Sequence, residues 1–144
     1  MKLKNQFKRK IPESPQACIN EAYRYYNNAK EILNKIPIED NTYTDVKKLR
    51  KACAIGYLSV LFAIDGFLLN KGVSLADLPT SLEGYLSAID KYLYRNRTFT
   101  RQFTVVYQNL HIFGYYRGAI DVAMIKSGFK NAKMIIDYFA KLIK

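Results

Sequence analysis

His111 is the one histidine in a chain of 144 residues, so nucleophilic or acid–base chemistry that relies on an imidazole near neutral pH has to run through it. It stands between Leu110 and Ile112 in an apolar helical stretch, where a packed structural histidine is the usual occupant. Asp65 poses the opposite problem. It interrupts the most apolar helix of the chain between Ile64 and Gly66, and a carboxylate buried there must be paired or hydrogen-bonded, because leaving it bare is costly. Arg117 and His111 are its candidate partners; an edge position in contact with water is the alternative.

Aromatic and basic residues alternate twice, in Tyr92, Tyr94, Arg95, Arg97, Phe99, Arg101 and again in Tyr115, Tyr116, Arg117. Stacking rings beside cations are the chemistry that holds single-stranded nucleic acid. In a helical bundle the same tyrosines also fill the edge of a core with their hydroxyls reaching water. Other chemistries are missing. There is no phosphate-cradling glycine loop, no His-Glu-x-x-His zinc motif and no Cys-x-x-Cys pair, and the acidic residues are scattered rather than coupled. With one histidine and two isolated cysteines, neither a metal nor a cofactor is expected.

Net charge is +11, from 23 basic and 12 acidic residues. The excess is clustered: Lys2, Lys4, Lys8, Arg9 and Lys10 open the chain, Lys47, Lys48, Arg50 and Lys51 begin the long helix, and Lys91, Arg95, Arg97 and Arg101 form a third group. A fourth group runs from Lys126 to Lys144. Such a balance attracts polyanions by sequence-independent electrostatics, and each cluster also serves as a solvated helix face. Cys18 and Cys53 sit inside apolar patterns as small buried hydrophobes, which fits a reducing cytoplasm. The most apolar run, Tyr57 to Leu69, is shorter than the roughly 20 residues of a membrane span, and no secretory leader is expected.

Helices must position all of these groups. Residues 1–13 read as a basic flexible arm, and residues 14–144 as a single helical-bundle domain. Ser14 and Pro15 start a first helix that Pro37 ends, its apolar face made by Cys18, Ala22, Tyr25, Ala29, Ile32, Leu33 and Ile36. Thr44 is placed to cap a second helix, whose stripe includes Val46, Leu49, Cys53, Tyr57, Val60, Ile64 and Phe67, with Gly72 as its left-handed end. Thr80 with Glu83 gives the capping-box spacing for a third. A further apolar repeat starts near Phe99, either a continuation or a new helix. Gly114 and Gly118 bracket a stretch expected to leave regular helix, and Ser127 is placed to cap the last one. No strand pattern is present. The fold class is all-α, a four- to five-helix up-and-down bundle.

The run Gly56-Tyr57-Leu58-Ser59-Val60-Leu61-Phe62-Ala63, continued to Phe67-Leu68-Leu69-Asn70-Lys71-Gly72, resembles the second helix of HEPN-type helical domains. Arg117, with Asp121 four residues on and a final helix after it, is similar to the arginine–aspartate motif of HEPN proteins that accompany nucleotidyltransferases, although Val122 stands where tyrosine often follows. The arginine-to-histidine spacing of the ribonuclease branch is absent: the position five after Arg95 is Thr100. The resemblance therefore implies a non-catalytic member, docking a nucleotidyltransferase-like protein or RNA, and apolar residues exposed on the amphipathic faces add the expectation of a homodimer. In that reading Arg117 is a bidentate donor with Asp121 as its positioning partner, Arg95, Arg97 and Arg101 supply anion contacts, and Tyr116, His111 and Asp65 complete the candidate binding residues. A structural homodimerising bundle and a metal-independent ribonuclease are the alternatives.

Overall fold

A computed structural model describes residues 10–143; Lys2, Lys4, Lys8 and Arg9 of the expected basic arm lie outside the described residues, as does Lys144. The architecture is all-α: α1 (Pro15–Asn34), α2 (Val46–Asn70), α3 (Leu82–Tyr92), α4 (Arg97–Val106) and α5 (Val122–Leu142), with a π-helical run, Tyr107–Tyr116, continuing α4. A two-stranded antiparallel hairpin of β1 (Ile38–Glu39) and β2 (Thr42–Tyr43) joins α1 to α2. No strand pattern was legible there because each strand is two residues long; the turn uses Asp40 and Asn41, both at positive φ.

Helix boundaries follow capping chemistry more closely than apolar periodicity. Ser14 caps α1 as expected, its hydroxyl accepting from the Ala17 amide at 3.1 Å with Pro15 in the first turn. α1 stops at Asn34, ahead of Pro37, and its buried face includes Ile19 and Tyr26, while Tyr25 and Ile32 are half-buried. The second cap is Asp45 rather than Thr44, accepting from the Lys48 amide, and the third is Ser81 rather than Thr80, accepting from Gly84. In each case the acceptor stands three residues before the donor, the reach a short side chain has around one turn. Asp121, not Ser127, caps the last helix through a 2.9 Å bond from the Met124 amide, so α5 starts six residues earlier than its serine suggested. Gly72 has the expected left-handed backbone after α2.

α2 is the central element, buried from Val60 through Leu68 against α1, α5 and the π-helical run. Small residues let these helices approach. A Cβ on Gly56 would lie 2.7 Å from the Phe129 ring, and one on Gly114 would lie 2.5 Å from Cys53 Sγ. Cys53 is buried as expected, and burial pushes its thiol pKa up to about 12. By length and composition α2 could cross a membrane, yet 78% of its most apolar window is buried inside the bundle. The hairpin completes the packing, since Tyr43 donates to the Ile120 carbonyl and Val122 to that of Asn41, tying α5's start to the α1–α2 connection.

Candidate functional site

Helix α3 is where the bundle opens. Only Tyr85 and Ile89 of its residues are buried, and two clefts follow one another along it, one lined by Leu82 and Tyr85 and the other by Leu86, Ile89, Asp90 and Leu93. Its anchor is a hydrogen bond: Tyr85 Oη donates to Asp65 Oδ1 at 2.8 Å. Asp65 is 0% exposed, so the water-facing alternative does not hold. Neither Arg117 nor His111 hydrogen-bonds or ion-pairs with it among the described residues; the sequence could not name Tyr85, twenty residues away, because the partnership depends on how α3 folds back over α2.

One cleft, about 400 Å³, collects three of the expected residues. Arg95, Arg97 and Arg101 line it together with Leu86, Ile89, Asp90, Leu93 and Thr100. Arg95 has φ +58, the break that ends α3 and starts α4 afresh, with Asn96 capping α4 through the Phe99 amide. Its guanidinium lies 4.9 Å from the ring centre of Tyr94, which is 68% exposed. The N-terminal end of α4 adds its positive dipole end to this charge. Three guanidiniums against one carboxylate make the cleft anion-accepting.

The other cleft, about 330 Å³, is aromatic. It is lined by Tyr57, Tyr85, Tyr107 and His111, with Thr80, Ser81, Leu58, Leu61 and Leu82 around them. His111 stacks on Tyr57 at 4.6 Å and 27°, lies 5.4 Å from Tyr107 and faces Tyr115 at 6.0 Å. Burial lowers its pKa, leaving it neutral at neutral pH, a donor at one nitrogen and an acceptor at the other. The π-helical winding turns Tyr107, His111 and Tyr115 into one column, and such turns are frequent at functional sites. Tyr57, Tyr85 and Tyr107 were not singled out as site residues from the sequence. The spacing of Tyr107, His111 and Tyr115 was the available signal, masked because it also fits a core stripe.

The Arg117–Asp121 pair is not assembled. Asp121 is committed to capping α5, and no ion pair joins it to Arg117, whose guanidinium lies over the Phe113 ring at 6.0 Å. Gly118 lies between them at φ +67, and a Cβ there would meet the Arg50 guanidinium at 2.8 Å, so the loop closes toward Arg50. In this structure Asp121 is the N-cap of α5. Tyr116 is 70% exposed beside Arg117 and belongs to neither cleft. Among the described residues no group of three or more His, Cys, Asp or Glu side chains is placed to hold a metal ion.

Residues 17–141 match a protein family described as a domain of unknown function, DUF5618. The chain belongs to that family. A solved structure described as a protein of unknown function from Dyadobacter fermentans is similar to this DUF5618 protein at 32% sequence identity and a TM-score of 0.75, covering 90% of this chain and 98% of that one. A comparison with curated proteins finds no match. The family region takes in both clefts' helices, from α1 to the last turn of α5.

Proposed function

We propose that this DUF5618 protein is a non-catalytic helical binding module of HEPN-like type whose ligand is single-stranded RNA. The observation that carries the reading is the convergence of Arg95, Arg97 and Arg101 on one open cleft beside the exposed ring of Tyr94. Guanidiniums in an open cleft contact phosphates without reading sequence, and a net charge of +11 adds long-range attraction. His111 supports binding rather than catalysis: it is stacked among tyrosines and, among the described residues, has no carboxylate partner to orient its proton. Exposed apolar residues, Leu86, Met134 and Leu142, support self-association as a homodimer beside this role.

The test is fluorescence anisotropy of a labelled single-stranded RNA at two salt concentrations, with the RNA checked on a gel afterwards. Binding that weakens with salt while the strand stays intact is the expected result. Replacing Arg95, Arg97 and Arg101 together by glutamine should reduce the log–log salt slope by about 2. Absence of binding at low salt overturns the proposal and transfers the cleft to a protein partner such as a nucleotidyltransferase; cleaved RNA restores the ribonuclease alternative.

A further inference from the structure

The aromatic cleft takes no part in the phosphate contacts just described, and its chemistry differs from that of the arginine cleft. No lysine or arginine is among its described lining residues, although the protein carries a net charge of +11. Its walls are instead the rings of Tyr57, Tyr85, Tyr107 and His111, with hydroxyls at Thr80 and Ser81 where α3 begins. Ring faces reward a flat partner, and the neutral imidazole and the Thr80 hydroxyl supply a hydrogen-bonding edge. Among the described residues the cleft presents rings and hydroxyls. At about 330 Å³ the space falls at the small end of the range that ligand sites occupy.

We infer that this cleft binds a planar nitrogen heterocycle of nucleobase size, stacked on the Tyr57–His111–Tyr107 cluster. The position relative to the arginines identifies one source for that ring. α3 gives Leu82 and Tyr85 to the aromatic cleft and Leu86, Ile89 and Leu93 to the arginine cleft, while the run from Arg97 gives Arg97 and Arg101 to one and Tyr107 and His111 to the other. Both clefts therefore open along the same seam between these two elements. Arg101 and Tyr107 are separated by about 9 Å along the helix axis, a span that lets one strand keep its phosphates on the arginines and place a base among the tyrosines. This arm rests on the RNA reading; binding of a free heterocycle does not.

Two fluorescein-labelled strands, an oligoadenylate and the same strand made abasic, separate the base from its backbone, and free adenosine, followed through the NMR signals of the His111 ring, separates strand from small molecule. The intact strand should bind the full chain roughly 5- to 150-fold more tightly than the abasic one, the range that one stacked base supplies. Tyr107→Leu should erase that advantage and Tyr107→Phe retain it, both with the salt slope unchanged. Equal binding of the intact and abasic strands, or an advantage that survives Tyr107→Leu, overturns the inference. The strand comparison needs no variant, so misfolding of Tyr107→Leu leaves it decisive. If neither strand binds at low salt, the RNA reading has failed by itself, and adenosine decides: a saturable shift at His111 upholds a heterocycle site, and no shift overturns it.

Discussion

The contact of α1, α2, α5 and the π-helical run and the seating of α3 represent two ways of using apolar sequence. In the first, glycines at 56, 66, 114 and 128 remove side chains where neighbouring helices cross, so backbone and rings meet at distances that leave no room for a Cβ. In the second, α3 buries two side chains, is held by the buried Tyr85–Asp65 hydrogen bond and lines two clefts. Close packing confers rigidity, since an interior at crystal-like density has one arrangement. A helix held at few points confers access, and elements of this kind open at lower free energy than the core around them. The candidate chemistry lies along the second region, braced by the first.

The largest effect should come from filling a crossing in the tight region. Gly114→Val drives branched atoms into Cys53 and Ile125, and is expected to destabilise the fold by about 3 kcal/mol, at the upper end for overpacking; urea unfolding followed by circular dichroism measures it. Stability within about 1 kcal/mol of the parent, the lower limit of that range, would mean the crossing is slacker than its distances indicate. Tyr85→Phe acts on the loose region. Removing the donor to Asp65 should cost about 1–2 kcal/mol, and hydrogen exchange should show the change concentrated in α3 while amides of α2 stay protected. Uniform loss of protection would merge the two regions into one cooperative unit.

Asp121→Ala removes the cap of α5 and should cost about 1 kcal/mol, with RNA binding unaffected because Asp121 serves the helix end. A selective loss of binding would return Asp121 to the site. Titration gives the smallest effects. Burial lowers the His111 pKa, so the unfolded chain takes up a proton first as pH falls below its ordinary value of 6.5; stability should decline through that window and level off once the folded form also protonates. His111→Gln should flatten this step, and NMR titration of the single imidazole locates it directly. Asp137 works in the acid range. Burial opposes its ionisation, but the Tyr23 hydroxyl at 2.5 Å and the Lys133 ammonium at 2.9 Å outweigh it and hold the pKa below 3.8. The stability it contributes is present above its unfolded value and disappears as pH falls through the folded one, so Asp137→Asn should shallow the acid limb of a melting-temperature profile.

Tyr23 and Asp137 also show how far a sequence can be read. Each sits on a helix that its periodicity announces, but they are 114 positions apart, and no spacing rule connects them. The arginine group was legible for the opposite reason: Arg95, Arg97 and Arg101 are close in sequence, and a single turn with Asn96 as cap was enough to aim them at one cleft. Arg117 and Asp121 are just as close. They failed to pair because an aspartate at a helix start is worth more as a cap, and a positive φ at Gly118 turns the chain between them.

By itself, then, the sequence determined the helices and their apolar faces, the buried cysteines, the left-handed end at Gly72 and the clustering of charge, because these depend on side-chain type and on neighbours within a turn or two. Tertiary structure decided that Tyr85 is the hydroxyl that meets Asp65, that His111 stacks with Tyr57 and Tyr107, and that α3 lines two clefts of unlike chemistry. Those relations join residues far apart along the chain. Their geometry is set by how closely the glycine crossings let the helices approach, and periodicity within a single helix carries no information about that distance.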